Sequence, residues 1–201
     1  MINTLAIVGA FLTGSIPFGF LIGRLLYSTD LRKSGSGNIG AMNALRTLGA
    51  PGAVAVLLLD IAKGVLPTLI ATHIENAPWL APACATAAVV GHCYSPWLGW
   101  RGGKGVATSV GAMFVLSWPA GLICVAAWVI GTLPTSFSSV GSILSSLVAP
   151  FALYAMTWSL WDTMFGIFIA TIIPFAHREN IVRLRHGTES GISFLQRKSR
   201  A

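Results

Sequence analysis

Apolar residues fall into six blocks, over residues 3–27, 51–73, 79–97, 106–133, 139–157 and 160–176, with short polar stretches between them. A bilayer crossing needs about 20 predominantly apolar residues, so the pattern predicts an all-α, polytopic membrane protein. The fourth block is too long for one ordinary span. Trp118 and Pro119 sit in its middle, where proline would remove a helix hydrogen bond and clash with the preceding turn. We read this block as two short helices joined by a turn near Trp118, which makes seven transmembrane helices.

Charge sets the expected sidedness. Arg24, Arg32 and Lys33 follow the first block and hold its far end in the cytoplasm, which leaves the N-terminus outside. No basic residue precedes that block and no small-x-small cleavage site follows it, so it reads as a retained helix and not as a leader. Between Lys104 and Arg178 the chain has no Lys or Arg, and Glu75 and Asp162 mark two short loops without basic residues, read as external. If Arg101 and Lys104 are cytoplasmic, the basic tail from His177 to Ala201 is also cytoplasmic only when the fourth block crosses twice. Helices of about 14 residues would then reach only about 21 Å, short of the hydrocarbon thickness, and would need tilt or a recess.

Composition removes the soluble alternatives. The 201 residues are 54% hydrophobic and 9% charged, whereas soluble domains carry about a quarter charged residues. The net charge of +7 comes from Lys and Arg in a few short clusters, which fits a membrane face and not a nucleic-acid partner. Cys84, Cys93 and Cys124 stand singly in apolar surroundings and read as reduced, buried residues with no disulfide or metal pattern.

The expected topology brings three polar clusters to the cytoplasmic side. The first is Gly35-Ser36-Gly37-Asn38-Ile39-Gly40-Ala41-Met42-Asn43, which ends near Arg46 and offers backbone amides, a hydroxyl, carboxamides and a cation suited to a phosphate. Its GxGxxG spacing lacks the βαβ context of a dinucleotide site, and a plain Gly-rich turn is the alternative. The second runs from Gly91-His92 to Arg101-Gly102-Gly103-Lys104-Gly105 at a helix start, a place that favours anions. Simple headgroup anchoring by the two cations is the alternative there, and His92 reads as either a packing residue or a ligand to substrate. The third runs from His177-Arg178-Glu179-Asn180 to Glu189, with His177 and Asn180 on one helical face; a solvated basic tail is its alternative. Asp60 and Lys63 add an (i, i+3) charged pair within the second block, either functional or structural.

Taken together and in this order, Gly35-Ser36-Gly37-Asn38, Leu59-Asp60 with Lys63-Gly64, Gly91-His92, Gly102-Gly103-Lys104-Gly105-Val106-Ala107-Thr108 and His177-Arg178-Glu179-Asn180-Ile181 with Arg183-Leu184 resemble the PlsY family. The resemblance covers nearly the whole chain and implies one transmembrane acyltransferase domain over residues 1–201. It implies transfer of a fatty acyl group from acyl phosphate to the 1-hydroxyl of sn-glycerol 3-phosphate. That reaction yields lysophosphatidic acid and phosphate and is the first acylation of bacterial phospholipid synthesis. It further implies an inner-membrane location with the active site facing the cytoplasm, no cofactor and no metal. Its expected partners are membrane lipid and the soluble enzyme that makes acyl phosphate. One departure lies at Ser136-Phe137, where the family usually has a basic residue followed by Tyr.

The implied site residues suit that chemistry. His177, Lys104, Arg46 and Asn180 are expected to be catalytic, and Ser36, Gly37, Asn38, Asn43, Gly103, Ser139, Ser142, His92 and Glu189 to bind or orient substrate. Lys104, Arg46 and the amides around Ser36 are assigned to phosphate, and His177 acts as positioner or general base. Glu189 is expected to pair with an arginine. An acyl phosphate has a good leaving group, and no Ser-His-Asp or GxSxG pattern is present, so direct attack by the hydroxyl is expected. A transporter for a phosphorylated solute and a lipid-binding scaffold are the rival classes.

Overall fold

The computed structural model describes residues 1–74 and 77–192, and among these every regular element is helical. Glu75, used above to place an external loop, and the end of the tail lie outside the described residues. The chain divides into two compact units, Met1–Leu116 and Ser117–Ala201.

The first unit holds α1 (Ile2–Ser15), α2 (Phe18–Tyr27), α3 (Ala41–Thr72), α4 (Leu80–Cys93) and α5 (Val106–Leu116). The first apolar block is one candidate span of 26 residues, but its helix is interrupted where Pro17 lacks an N–H and Ile16 takes the extended conformation required before proline (φ −59°, ψ 119°). Helix α3 begins ten residues before the second apolar block. Gly49, at φ 80°, kinks it, so that Ala41 to Leu48 form a separate helical arm.

Small residues govern the packing, as they must where lipid is as apolar as the side chains and close backbone approach supplies the attraction. Gly14 of α1 lies against the Ala88 backbone of α4, and Gly64 of α3 lies against Thr108 of α5.

The second unit holds α6 (Trp118–Thr135), α7 (Ser138–Thr157), α8 (Leu160–Ala176) and α9 (Arg178–Arg185). A helix does start at Trp118: Ser117 caps it by accepting a hydrogen bond from the Ala120 N–H, and Pro119 falls in the first turn, where its missing N–H costs nothing. Gly131 of α6 meets Gly141 of α7, and Gly166 of α8 meets Pro150 of α7. Ser159 caps α8 by accepting from the Asp162 N–H, and the Asp162 carboxylate sits in the first turn, where the helix dipole favours it.

By length and composition four segments can cross a membrane, Ile2–Tyr27, Ala41–Thr72, Trp118–Thr135 and Ser138–Thr157; α8 with α9, bent by 54°, makes a fifth if counted as one span. The fourth block divides unequally. Its first part, α5, has 11 residues and its second, α6, has 18. At 1.5 Å per residue the 14-residue α4 reaches about 21 Å, and α5 reaches only about 16 Å because the glycine-rich stretch from Arg101 to Gly105 before it is not helical.

Candidate active site

In the first unit, the segment between α2 and α3 is held by two side chains. Asp30 ends the α2 connection: it accepts from the Arg32 N–H and pairs with Arg32 at 2.8 Å and Arg24 at 3.2 Å. The hydrogen bonds from Arg32, aided by the charge of Arg24, keep this carboxyl well below the usual carboxylate range. Asn43, on the arm of α3, organises the rest. Its Oδ1 accepts from the Ser36 N–H at 2.8 Å, and its Nδ2 donates to the carbonyls of Leu31, Ser34 and Asn38 at 2.7–3.0 Å. Two amide hydrogens are thus shared among three carbonyls. Gly35 adopts φ 58°, and a Cβ there would fall onto the Asn43 carboxamide, so this position needs glycine for both its angle and its space. The Gly37 N–H returns to the Ser34 carbonyl and the Gly40 N–H to Asn38 Oδ1. Arg46 stands one helical turn beyond Asn43 on the same arm.

Deeper in the same unit, Lys63 Nζ pairs with Asp60 Oδ1 at 2.8 Å and donates to the Ile16 carbonyl at 2.9 Å, at the break between α1 and α2. The expected (i, i+3) pair therefore forms, with both side chains fully buried. His92, also buried, brings Nδ1 to 3.7 Å from Asp60 Oδ1, beyond hydrogen-bond length. After α4 the chain turns back on itself: the Gly102 N–H donates to the Cys93 carbonyl and the Gly103 N–H to the His92 carbonyl, both at 2.9 Å. Gly103 lies directly on the His92 ring. Lys104 follows at once, and α5 begins two residues later.

In the second unit, Glu189 gathers three donors. Its Oε1 accepts from Ser139 Oγ at 2.9 Å and Asn180 Nδ2 at 2.6 Å, and its Oε2 accepts from Arg183 Nε at 2.8 Å. Burial opposes its ionisation, but the combined bonds from Asn180, Arg183 and Ser139 outweigh that and hold its carboxyl below the ordinary Glu range. His177, at the α8–α9 junction, is buried with Nδ1 2.8 Å from the Ile173 carbonyl. A carbonyl can only accept, so Nδ1 carries a proton and donates it to Ile173. Ser142 donates to the Ser138 carbonyl one turn from Ser139.

The family model that describes glycerol-3-phosphate acyltransferases matches residues 4–187. The chain belongs to this family. A glycerol-3-phosphate acyltransferase of Brucella anthropi is 41% identical over 187 residues, covering 93% of this chain and 92% of the relative. One from a Synechococcus species is 41% identical over 188 residues and covers 94% of each. Among solved structures, PlsY, an integral membrane glycerol 3-phosphate acyltransferase, matches in its glycerol 3-phosphate form with a TM-score of 0.92, 36% identity and 98% of both chains covered. Its lysophosphatidic acid form matches with a TM-score of 0.89 and 35% identity over 96% of both chains. The chain is thus a membrane-embedded member of an acyltransferase family of phospholipid synthesis.

Within this acyltransferase, the expected site residues fall into three groups. Ser36, Gly37, Asn38, Asn43 and Arg46 share one loop and its helical arm, and His92, Gly103 and Lys104 share one turn. Ser139, Asn180 and Glu189 share one hydrogen-bond cluster, with Ser142 and His177 on adjoining turns. The first two groups belong to one unit and the last to the other. Arg183 was part of the resemblance but had no assigned role; as the arginine that pairs with Glu189 it is a member of the cluster. The departure at Ser136-Phe137 has a local use: Ser136 ends α6 at φ 62°, and its carbonyl accepts from the Ile192 N–H at 2.8 Å.

Proposed function

We propose that this acyltransferase moves a fatty acyl group from acyl phosphate to the 1-hydroxyl of sn-glycerol 3-phosphate, releasing lysophosphatidic acid and inorganic phosphate. The observation that carries this reading is the match to PlsY in a glycerol 3-phosphate form and a lysophosphatidic acid form, two molecules that differ by one acyl group. The acyl phosphate donor is supported by the resemblance, and direct transfer by the good leaving group that phosphate makes.

The hydroxyl oxygen attacks the acyl carbonyl carbon, the bond from that carbon to the phosphate oxygen breaks, and phosphate leaves with the electron pair. The hydroxyl proton passes to His177 or to a phosphate oxygen. Arg46 and Lys104 bind phosphate and offset its charge. Both substrates carry phosphate, so holding them in register provides much of the rate. Asn43 carries its role through the loop, since its carboxamide is engaged by four backbone groups. Glu189 acts similarly on Asn180 and Ser139. We read residues 1–201 as a single acyltransferase domain.

We further propose seven crossings, with α4 and α5 as short ones, the N-terminus outside and the tail inside. The enzyme then sits in the bacterial inner membrane with its site facing the cytoplasm, where a soluble acyl-phosphate-forming enzyme supplies the donor. Purified protein in detergent tests the reaction: lysophosphatidic acid should form from acyl phosphate and glycerol 3-phosphate together, and not from acyl-CoA. Product from acyl-CoA alone would overturn the donor. Solute uptake into vesicles without product would favour a transporter.

A further inference from the structure

The reaction as proposed leaves Asp60, Lys63 and His92 without a part. All three are buried polar side chains of the first unit. An ionisable pair within an apolar span is costly, and a buried ion pair contributes little or no net stability compared with apolar residues of similar volume. Its neighbours indicate what it does. Lys63 ties α3 to the Ile16 carbonyl at the break in the first span, which fixes the cation, and with it Asp60. One edge of the His92 ring, Nδ1, faces Asp60. The opposite edge supports Gly103: a Cβ at residue 103 would land on Nε2 and come within 2.7 Å of Cε1, so only glycine can rest at this height. The two backbone hydrogen bonds from Gly102 and Gly103 to the end of α4 clamp the turn down onto the ring.

We propose that Asp60, Lys63 and His92 are positioning residues: the ion pair sets the His92 ring, and the ring is the floor that fixes the Gly102-Gly103 turn and therefore where Lys104 presents its charge. His92 thus acts beneath the loop and does not contact substrate. This rests on the assignment of Lys104 to a substrate phosphate. The height of the turn that carries Lys104 matters, because a displacement of about 1 Å in a catalytic group can cost about a hundredfold in rate.

The floor can be tested by a size exchange. Gly103→Ala should lift the turn and raise KM for one phosphate substrate by about tenfold, near 1.4 kcal/mol, while Tm stays close to wild type. His92→Ala removes the ring that the added methyl strikes. His92→Ala alone should also raise KM by leaving the turn unsupported. In the double variant Gly103→Ala/His92→Ala, where the methyl occupies part of the vacated space, the loss should be clearly smaller than the sum of the two single losses, a departure from additivity that independent packing defects would not produce. A second arm tests the ion pair: Asp60→Asn/Lys63→Met removes both charges together, and should fold but show the same raised KM. A third readout needs no substrate: trypsin cleavage after Lys104, followed by mass spectrometry, should quicken in Gly103→Ala, and in the double variant by less than the two single effects combined.

Wild-type KM and unaltered cleavage in Gly103→Ala, or losses that simply add in the double variant, would overturn the floor. Wild-type constants in Asp60→Asn/Lys63→Met would overturn the link from the pair to the turn. Inactivity of the wild-type protein with acyl phosphate would instead count against the donor, and the cleavage pattern would still decide the positioning.

Discussion

In the segment from Leu31 to Gly40 one neutral carboxamide, that of Asn43, holds four backbone groups, whereas in the second unit one carboxylate, Glu189, holds three side chains. The difference matters because the two devices leave different things for chemistry. Asn43 satisfies the main chain from within and sets the shape of the loop that leads into the arm carrying Arg46. Glu189 draws the side chains themselves into place, so Asn180 and Ser139 owe their orientation to a charge. A loop shaped by amides should be indifferent to mild acid and sensitive to geometry. A cluster shaped by a carboxylate should be sensitive to both.

The largest expected effect comes from removing the carboxylate. Glu189→Ala should lower stability by about 3 kcal/mol, because Asn180 and the guanidinium of Arg183 lose an acceptor in a largely buried place, and acyl transfer should fall below detection. Chemical denaturation and an endpoint assay would show it; a stable, active variant would mean the cluster is incidental. Next comes Asn43→Asp, which keeps the acceptor for the Ser36 N–H but turns an oxygen toward three carbonyls. We expect a loss of about 2 kcal/mol, read as a lower Tm with a raised KM. An unchanged Tm would show that the loop does not depend on the carboxamide.

Arg46→Lys keeps charge and loses the bidentate fork, so KM for glycerol 3-phosphate should rise with a penalty of about 1 kcal/mol. A headgroup anchor would tolerate the change, and a rise confined to acyl phosphate would reassign Arg46 to the other substrate. The smallest effect separates the two devices by pH. The Glu189 carboxyl is depressed in the folded protein, so its stabilisation is present above the ordinary Glu value of about 4.3 and fades as pH falls through the folded value. Wild-type Tm should therefore drop more steeply below about pH 4.5 than that of Glu189→Gln, while Asn43 variants should follow the wild-type slope.

Much of this was legible in the sequence because it depends on local spacing. The Asp60 and Lys63 pair follows from an (i, i+3) step, and the helix start at Trp118 from proline's lost N–H. The association of Glu189 with an arginine needs only a nearby opposite charge. What was not legible is long-range or permissive. Nothing local says that a carboxamide at 43 will find carbonyls at 31, 34 and 38, and Gly49 is compatible with either a straight or a kinked helix. The break at Pro17 hides inside an apolar run whose hydropathy is that of a continuous span. The role of Gly103 is invisible until the His92 ring is seen beneath it.

Direct transfer without an acyl-enzyme is the core of the proposed chemistry. It is tested most directly by rapid quench of purified protein mixed with acyl phosphate, with and without glycerol 3-phosphate, following phosphate release and the intact mass of the chain. Direct transfer gives no burst of phosphate and no acylated protein in the absence of glycerol 3-phosphate, with phosphate and lysophosphatidic acid formed in equal amounts when it is present. A burst matching the enzyme concentration, or an acyl adduct on the protein, would contradict it.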